Sequence, residues 1–226
     1  DGYNEYDRNG HKTRIFSVND KGLTKSRNYA IKHSEADVCL LCDDDEVFSR
    51  NYEEGILTAY RDLPEADVII FNIGNRPAHW GDMPKKLGYL DLMHVASWQI
   101  SFKRESIVNN NVYFDEHMGA GSGNGAEEEF RFLTDCRKNG LAIYYVPFVI
   151  ADVAQTKSTW FKGYNEEFFI NRGNTTRYIM GYVPAVLYAA YYSIRKRHQF
   201  DSDISWFKAF RLIMKGIHEN RLGKKK

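Results

Sequence analysis

Cysteine is scarce in this chain of 226 residues: Cys39, Cys42 and Cys136 are its three. Three thiols make no disulfide framework, and Cys39 with Cys42 lacks the second ligand pair that a zinc site would need. Both fall on a predicted buried strand, where they read as small hydrophobes in a reducing, cytoplasmic setting. Long apolar runs are missing too. The longest, Ile179 to Ile194, has 16 residues, carries Pro184 and several tyrosines, and falls short of the roughly 20 that a spanning helix needs; no signal peptide is visible. Neither sign of charge dominates, since 31 Lys and Arg against 30 Asp and Glu leave a net charge of +1. That balance excludes the broad basic surface of a nucleic-acid binder. Repeats and low-complexity tracts are absent.

What is present is a globular composition, 43% hydrophobic and 15% aromatic, with 15 Tyr and 14 Phe. The length of 226 residues allows one good-sized core, or one domain with a helical annex. The aromatics suit core filling or a surface that stacks on sugars and bases. The chemistry gathers where Val38-Cys39-Leu40-Leu41-Cys42 runs into Asp43-Asp44-Asp45-Glu46. An apolar run too short for a helix delivers four acids to one sheet edge, where they repel unless a cation or a set of donors sits among them.

Taken in order, residues 1–12 read as a polar loop and 13–18 as a short strand. A helix is expected over 23–33 and a strand over 37–42, a strand-helix-strand unit whose crossover implies parallel pairing. The acids then lie at a strand's carboxyl end, where open α/β sheets bind ligands. Residues 51–63 predict a helix stopped by Pro64, and 67–73 a buried strand. Residues 74–96 read as a long surface loop, 97–102 as a strand and 103–109 as a short helix or turn. A flexible Gly-rich loop over 114–125 leads into a helix over 126–138, capped by Asn139-Gly140. Pro147 separates two apolar segments, 141–146 and 148–153. Residues 160–197 read as two helical pieces, broken near Gly173 and again at Gly181 to Pro184. An amphipathic helix over 204–218, followed by Lys224-Lys225-Lys226, can dock on the catalytic domain or lie on an anionic membrane surface.

Two stretches carry a resemblance. Lys21-Gly22-Leu23-Thr24-Lys25-Ser26-Arg27-Asn28-Tyr29-Ala30-Ile31 followed by Cys42-Asp43-Asp44-Asp45-Glu46 resembles the family 2 glycosyltransferases, which carry a similar helix ahead of an Asp-x-Asp motif. Phe114-Asp115-Glu116 with the Gly-rich loop and Glu127-Glu128 looks like that family's acceptor-side acidic element. Tyr145-Val146-Pro147 and Ser158-Thr159-Trp160 extend the match, which covers 13 to about 160. Against the family pattern the chain starts after the first strand-helix-strand unit, has Gln155 where many members place a metal-binding His, and pairs Glu with Glu at the acceptor acids.

The resemblance implies an α/β fold of the A-type, Rossmann-like nucleotide-diphospho-sugar transferase class. Its mostly parallel sheet would be flanked by helices, with a catalytic domain over 1–160 and a C-terminal helical annex over 161–226. It implies an inverting transfer from a nucleotide sugar to a glycan or lipid-linked acceptor in surface polysaccharide synthesis, with Mn²⁺ or Mg²⁺. Asp45 would hold the metal, Asp43 and Asp44 would face the ribose or donor sugar, and Arg27 would meet the nucleotide or its phosphates. The base on the acceptor hydroxyl would be Glu127 or Glu128. Trp98 and His117 are further acceptor-side candidates. The location implied is cytoplasmic, at the inner face of the cell membrane through the basic C-terminal helix. A catalytically silent relative that binds a partner enzyme or glycan is the competing expectation.

Overall fold

The computed structural model describes residues 2–8, 11–76, 79–122, 127–154 and 163–224. Gly2–Arg8 (β1) and His11–Ser17 (β2) pair antiparallel, from Gly2 opposite Ser17 to Arg8 opposite His11. The loop expected over 1–12 is therefore a hairpin arm. Its segment is polar because the ladder is exposed, and Asn9-Gly10 in the sequence is the dipeptide that favours a tight two-residue connection. Packing of Tyr3 on Phe16 (ring centroids 5.2 Å) and pairing of Glu5 with Lys12 at 2.9 Å hold the arms together across the strands.

A helix follows at Leu23–His33 (α1) and then a three-residue strand, Val38–Leu40 (β3). The parallel crossover expected here is not formed. β2 spends its backbone groups on β1, and β3 pairs instead with Ile100–Lys103 (β7), antiparallel. Glu46–Phe48 (β4), Tyr52–Asp62 (α2), Val68–Ile73 (β5) and Lys85–Lys86 (β6) come next in the chain. Arg104–Asn109 (α3), Glu128–Lys138 (α4) and Ile143–Val153 (β8) complete the layer. The sheet runs β3-β7-β5-β8-β4, with β6 on β8. Among the described residues only β5 and β8 form a parallel ladder; β7 lies antiparallel to both β3 and β5, so β3, β5 and β8 point the same way within a mixed α/β sheet. The sheet is flanked by helices, as the α/β class requires.

Two apolar clusters cover its faces. One gathers Val68, Ile70, Ile100, Phe102, Phe114, Phe132 and Leu133, the other Ile56, Ile69, Phe71 and Ile150. The alternation of Val68 and Ile70 against Ile69 and Phe71 is the period of a strand buried on both faces. Pro147, expected to split two segments, instead lies inside β8. Register jumps there from Phe71 opposite Val146 to Asn72 opposite Val149, so proline falls in the irregularity, where no ladder N–H is needed. Residues 79–96 are also more than surface loop: Leu87 and Leu92 are buried to 1% and 0% exposure, and β6 and a 3-10 turn at Asp91–His94 lie among them.

The C-terminal part is three helices around their own core. Glu166–Met180 (α5), Tyr182–Arg195 (α6) and Trp206–Glu219 (α7) enclose Phe169, Ala185, Ala189, Phe200, Ala209 and Ile213. Side-chain caps start two of them, Asn165 accepting from Phe168 N–H at 2.9 Å and Ser205 from Lys208 N–H at 3.4 Å. The break expected at Gly181 is present; the one near Gly173 is not. Gly173 sits mid-helix because α7 crosses it: a Cβ there would lie 2.1 Å from Ile213 O, and one on Gly216 would lie 2.0 Å from Ile170 O. The amphipathic helix thus docks on α5, leaving Trp206 and Phe207 at 45% and 56% exposure. Among the described residues no helix is long and apolar enough to cross a membrane.

Because both close approaches are to backbone, neither neighbour can rotate away. Gly216→Ala is expected to destabilise the chain by about 1–3 kcal/mol, the usual cost of overpacking, read as a fall in the urea midpoint. A midpoint equal to wild type would show that the helices are not locked in this contact.

Candidate functional site

The acids leave the sheet just past β3. After the buried Leu41 the chain turns through Cys42 to Asp45, closed by the Asp43 N–H donating to the Glu46 carboxylate at 2.7 Å. Asp43 is half-buried, one oxygen accepting from the Arg27 guanidinium at 3.3 Å and the other from the Ser97 hydroxyl at 2.9 Å. Asp44 is exposed and Asp45 half-buried; the Asp45 carbonyl accepts from Ala154 N–H at 2.8 Å, which ties the turn to the end of β8. Burial pushes the Glu46 carboxyl up to about 7, opposed by the hydrogen bond from Asp43 N–H and reinforced by the charges of Asp43 and Asp45. Burial and the same acids push the Cys42 thiol up to about 11. Cys42 is exposed rather than part of a buried strand, because β3 ends at Leu40 and the residue belongs to the turn.

Arg27 is the centre of the site. Its side chain is 9% exposed, and its second nitrogen lies 3.1 Å from Glu129 and 3.8 Å from Glu128, while the first holds Asp43. The guanidinium carbon stands 5.4 Å from the Phe114 ring centroid. One cation therefore gathers three carboxylates from two elements far apart in sequence. Burial raises the Glu129 carboxyl above its ordinary value of 4.5, and the charge of Glu128 raises it further, against the pull of Arg27.

The helix expected over 126–138 begins at Glu128; Ala126 lies outside the described residues. Glu127 precedes it in left-handed backbone, φ 71°, and its carboxylate faces away from Arg27 to Arg172 of α5, at 3.5 Å. Burial alone would lower the Arg172 pKa, but the charge of Glu127 and the Tyr188 contact raise it overall.

The Gly-rich segment is pinned where it is described. The buried face of α1 carries two polar side chains, Thr24 and Asn28, beside the apolar Ile31. Asn28 donates to Phe114 O at 2.9 Å and accepts from Phe114 N–H at 2.8 Å, and Thr24 donates to Met118 O at 3.0 Å. Leu23 N–H donates to Ala120 O at 3.0 Å. Gly119, at φ 87°, leaves room for Glu128, whose carboxyl carbon would lie 3.4 Å from a Cβ placed there. The expectation of a flexible loop thus fails for 114–122, since its backbone is hydrogen-bonded to a helix; Gly123-Asn124-Gly125 lie outside the described residues.

Of the sequence candidates, Arg27, Asp43 and Glu128 come together. Trp98 packs on the second core cluster with Arg76 5.8 Å from its ring centroid, next to Ser97 on the Asp43 side. His117 is exposed, its N–H donating to the Asp115 carboxylate at 3.0 Å. Sequence reasoning missed Ser97, Glu129 and Arg172. Only Glu129 had a signal, as the third member of the acid run; Ser97 and Arg172 stand in no motif. Gln155 and Ser158-Thr159-Trp160 lie outside the described residues.

Among the described residues no three His, Cys, Asp or Glu side chains are grouped to hold a metal ion. Both oxygens of Asp43 are engaged, so a cation bound at this turn would have the carboxylates of Asp44 and Asp45 to meet. Such a sparse set of hard oxygens fits Mg²⁺ or Mn²⁺ shared with a diphosphate better than a cation held by protein alone.

The profile of the family described as glycosyl transferase family 2 matches residues 3–128. No curated protein matches the chain. Among solved structures, the crystal structure of S. aureus TarS 1-349 in complex with UDP-GlcNAc superposes with a TM-score of 0.57 at 15% identity, covering 89% of this chain and 64% of that one. TarS 1-349 in complex with UDP gives 0.53 at 15% identity, over 87% and 61%. Full TarS gives 0.53 at 15%, over 88% of this chain and 37% of that one. The chain thus spans less than two thirds of the TarS chains it matches, and at this identity the likeness is one of fold.

Removing Arg27 would leave three acids facing one another. Arg27→Met is expected to cost about 3 kcal/mol or more near pH 8, in the range for breaking a buried ion pair, measured by urea unfolding. The proton held by Glu129 stabilises the folded chain fully below about pH 4.5 and is lost as pH rises through its raised value, because the unfolded carboxyl is ionised already. The variant, stripped of the cation, should therefore lose distinctly less at about pH 5. Equal losses at both pH values would mean that Arg27 does not neutralise these acids.

Proposed function

The chain belongs to glycosyl transferase family 2, and we propose that it moves a sugar from a nucleotide-diphosphate donor to a hydroxyl of a glycan or lipid-linked acceptor, in surface polysaccharide synthesis. The observation that carries this reading is the convergence on Arg27 of Asp43, from the end of a sheet strand, with Glu128, from the start of α4. A donor-side acid and an acceptor-side acid are held a guanidinium apart, with the pinned 114–122 segment beside them.

In this reading the donor's ribose and sugar meet Asp43 and Asp44, while Arg27 faces the nucleotide or its phosphates. Asp45 would hold Mn²⁺ or Mg²⁺, which supplies charge neutralisation for the departing diphosphate. Glu128 or Glu127 takes the proton of the acceptor hydroxyl as its oxygen bonds to the anomeric carbon. The bond to the diphosphate oxygen breaks on the opposite side, so one displacement inverts the anomeric configuration. Trp98 and His117 are acceptor-side contacts. Residues 1–160 form the catalytic unit and 161–226 its helical extension. The exposed Phe207, Lys208, Arg211 and Lys215 of α7 are a peripheral contact with an anionic membrane at the cytoplasmic face.

The test is turnover of a panel of nucleotide sugars with Mn²⁺, beginning with UDP-GlcNAc, by wild type and three variants. Asp45→Ala should abolish turnover, and one of Glu127→Gln and Glu128→Gln should lower it by about 100-fold or more, the scale of general-base catalysis. Turnover surviving Asp45→Ala would sink the metal assignment. Full activity in both glutamine variants would sink the base, and a wild type inert on the whole panel would favour a silent, glycan-binding relative.

A further inference from the structure

Arg172 belongs to no motif and lies in the helical extension, yet it reaches the acid run at the start of α4. Its guanidinium lies over two aromatic rings, 5.0 Å from the Phe168 centroid and 4.5 Å from that of Tyr192. One nitrogen donates to the Tyr188 hydroxyl at 2.6 Å and another lies 3.5 Å from Glu127. Three aromatic side chains from α5 and α6 thus hold the cation in one orientation, and a planar guanidinium so clamped has lost its freedom before it meets its acid.

The acid it meets is unusual in its backbone. Glu127 is one of three non-glycine residues with positive φ among the described residues, and the other two are asparagines, which tolerate that region better. A glutamate there is strained and persists because its surroundings fix it. Glu127 also opens α4: its carbonyl accepts the first helical hydrogen bond, from Arg131 N–H at 3.0 Å. The direction in which the next residue, Glu128, leaves the backbone depends on that left-handed step.

A second link runs parallel to the first. Arg131, one turn into α4, stands 4.9 Å from the Tyr178 ring centroid and donates to Tyr178 O at 3.4 Å, while the Tyr178 hydroxyl donates to Asp115 at 2.5 Å. α5 therefore grips α4 at the residue that caps its start and again one turn in, and grips the 114–118 segment as well. A helix that served only as an appendage would need none of these polar contacts.

We propose that Arg172 is a positioning residue for transfer: through Glu127 it fixes the left-handed start of α4, so that the helical extension sets where Glu127 and Glu128 point. The inference rests on the reading of these two glutamates as the acceptor-side acids. It makes the extension part of the active site rather than a separate module.

The test uses the full chain with Arg172→Met, Arg172→Lys, Glu127→Gln and the Arg172→Met/Glu127→Gln double variant. UDP-GlcNAc, or whichever nucleotide sugar of the panel the wild type turns over, serves as the probe. Arg172→Met should lower kcat by about tenfold to a hundredfold, the cost of a small misplacement of a reacting group. The donor KM should stay within about twofold, since the donor acids are untouched. Arg172→Lys, which keeps the charge, should recover part of that loss. Melting temperatures should show the two single substitutions to be non-additive, as for side chains in direct contact. An unchanged kcat in Arg172→Met, equal damage in the Lys and Met variants, or additive melting shifts would overturn the proposal. A wild type inert on every nucleotide sugar fails the reading of the function, while the melting cycle still decides the ion pair by itself.

Discussion

A single buried guanidinium holds this site together. Arg27 lies between a turn at the sheet edge and the first residues of a helix, and without it Asp43, Glu128 and Glu129 would be three desolvated charges of one sign. Burying an ion pair brings little net stability, but leaving its acids unpaired is costly. The arrangement is better understood as a constraint on geometry than as a source of folding energy. It forces the end of β3 and the start of α4 to one distance, so the acid turn and the acids that open α4 cannot move independently.

The same economy explains why α1 buries polar side chains. Asn28 exchanges two hydrogen bonds with the backbone of Phe114, and Thr24 reaches Met118 O. Apolar side chains at those positions would have filled space without specifying where the 114–122 segment lies, because dispersion has no direction whereas a hydrogen bond does. Arg27 sits on the same helix, one residue before Asn28. The element that pairs the acids is therefore also the element that fixes the loop beside them, and a shift of α1 would move both at once.

Much of this was legible in the sequence because local chemistry and global placement agree there. The helix over 23–33, the helix over 51–63, the strand over 67–73 and the acid turn follow from periodicity, Pro64 and the run Asp43 to Glu46, and they appear as α1, α2, β5 and the site. What was not legible depends on partners far away in sequence. The pairing of 2–8 with 11–17 is the exception, since Asn9-Gly10 is a local signal for it; nothing local to Pro147 says that a bulge will absorb it inside β8. Gly173 reads as a helix breaker until α7 is seen to cross it. Ser97 and Arg172 carry ordinary residue types whose only distinction is the side chain opposite, Asp43 in one case and Glu127 in the other.

That distinction bears on how the two parts of the chain relate. The extension has its own apolar core, and a core of that kind would let three helices pack with no reference to the sheet. The extension is nevertheless tied to the sheet in two ways: Ile179 of α5 is buried in the first apolar cluster of the sheet, and the pairs Arg172 to Glu127 and Tyr178 to Arg131 and Asp115 add polar, directional contacts. Within the extension, the glycines at 173 and 216 bring α5 and α7 to backbone contact, which removes the side-chain cushion that would let one helix slide on the other. Gly173 is the residue next to Arg172. The backbone contact at Gly173 thus adjoins the ion pair that reaches the acid run, so that rigidity in the helical part is delivered to the place where a left-handed glutamate must be held.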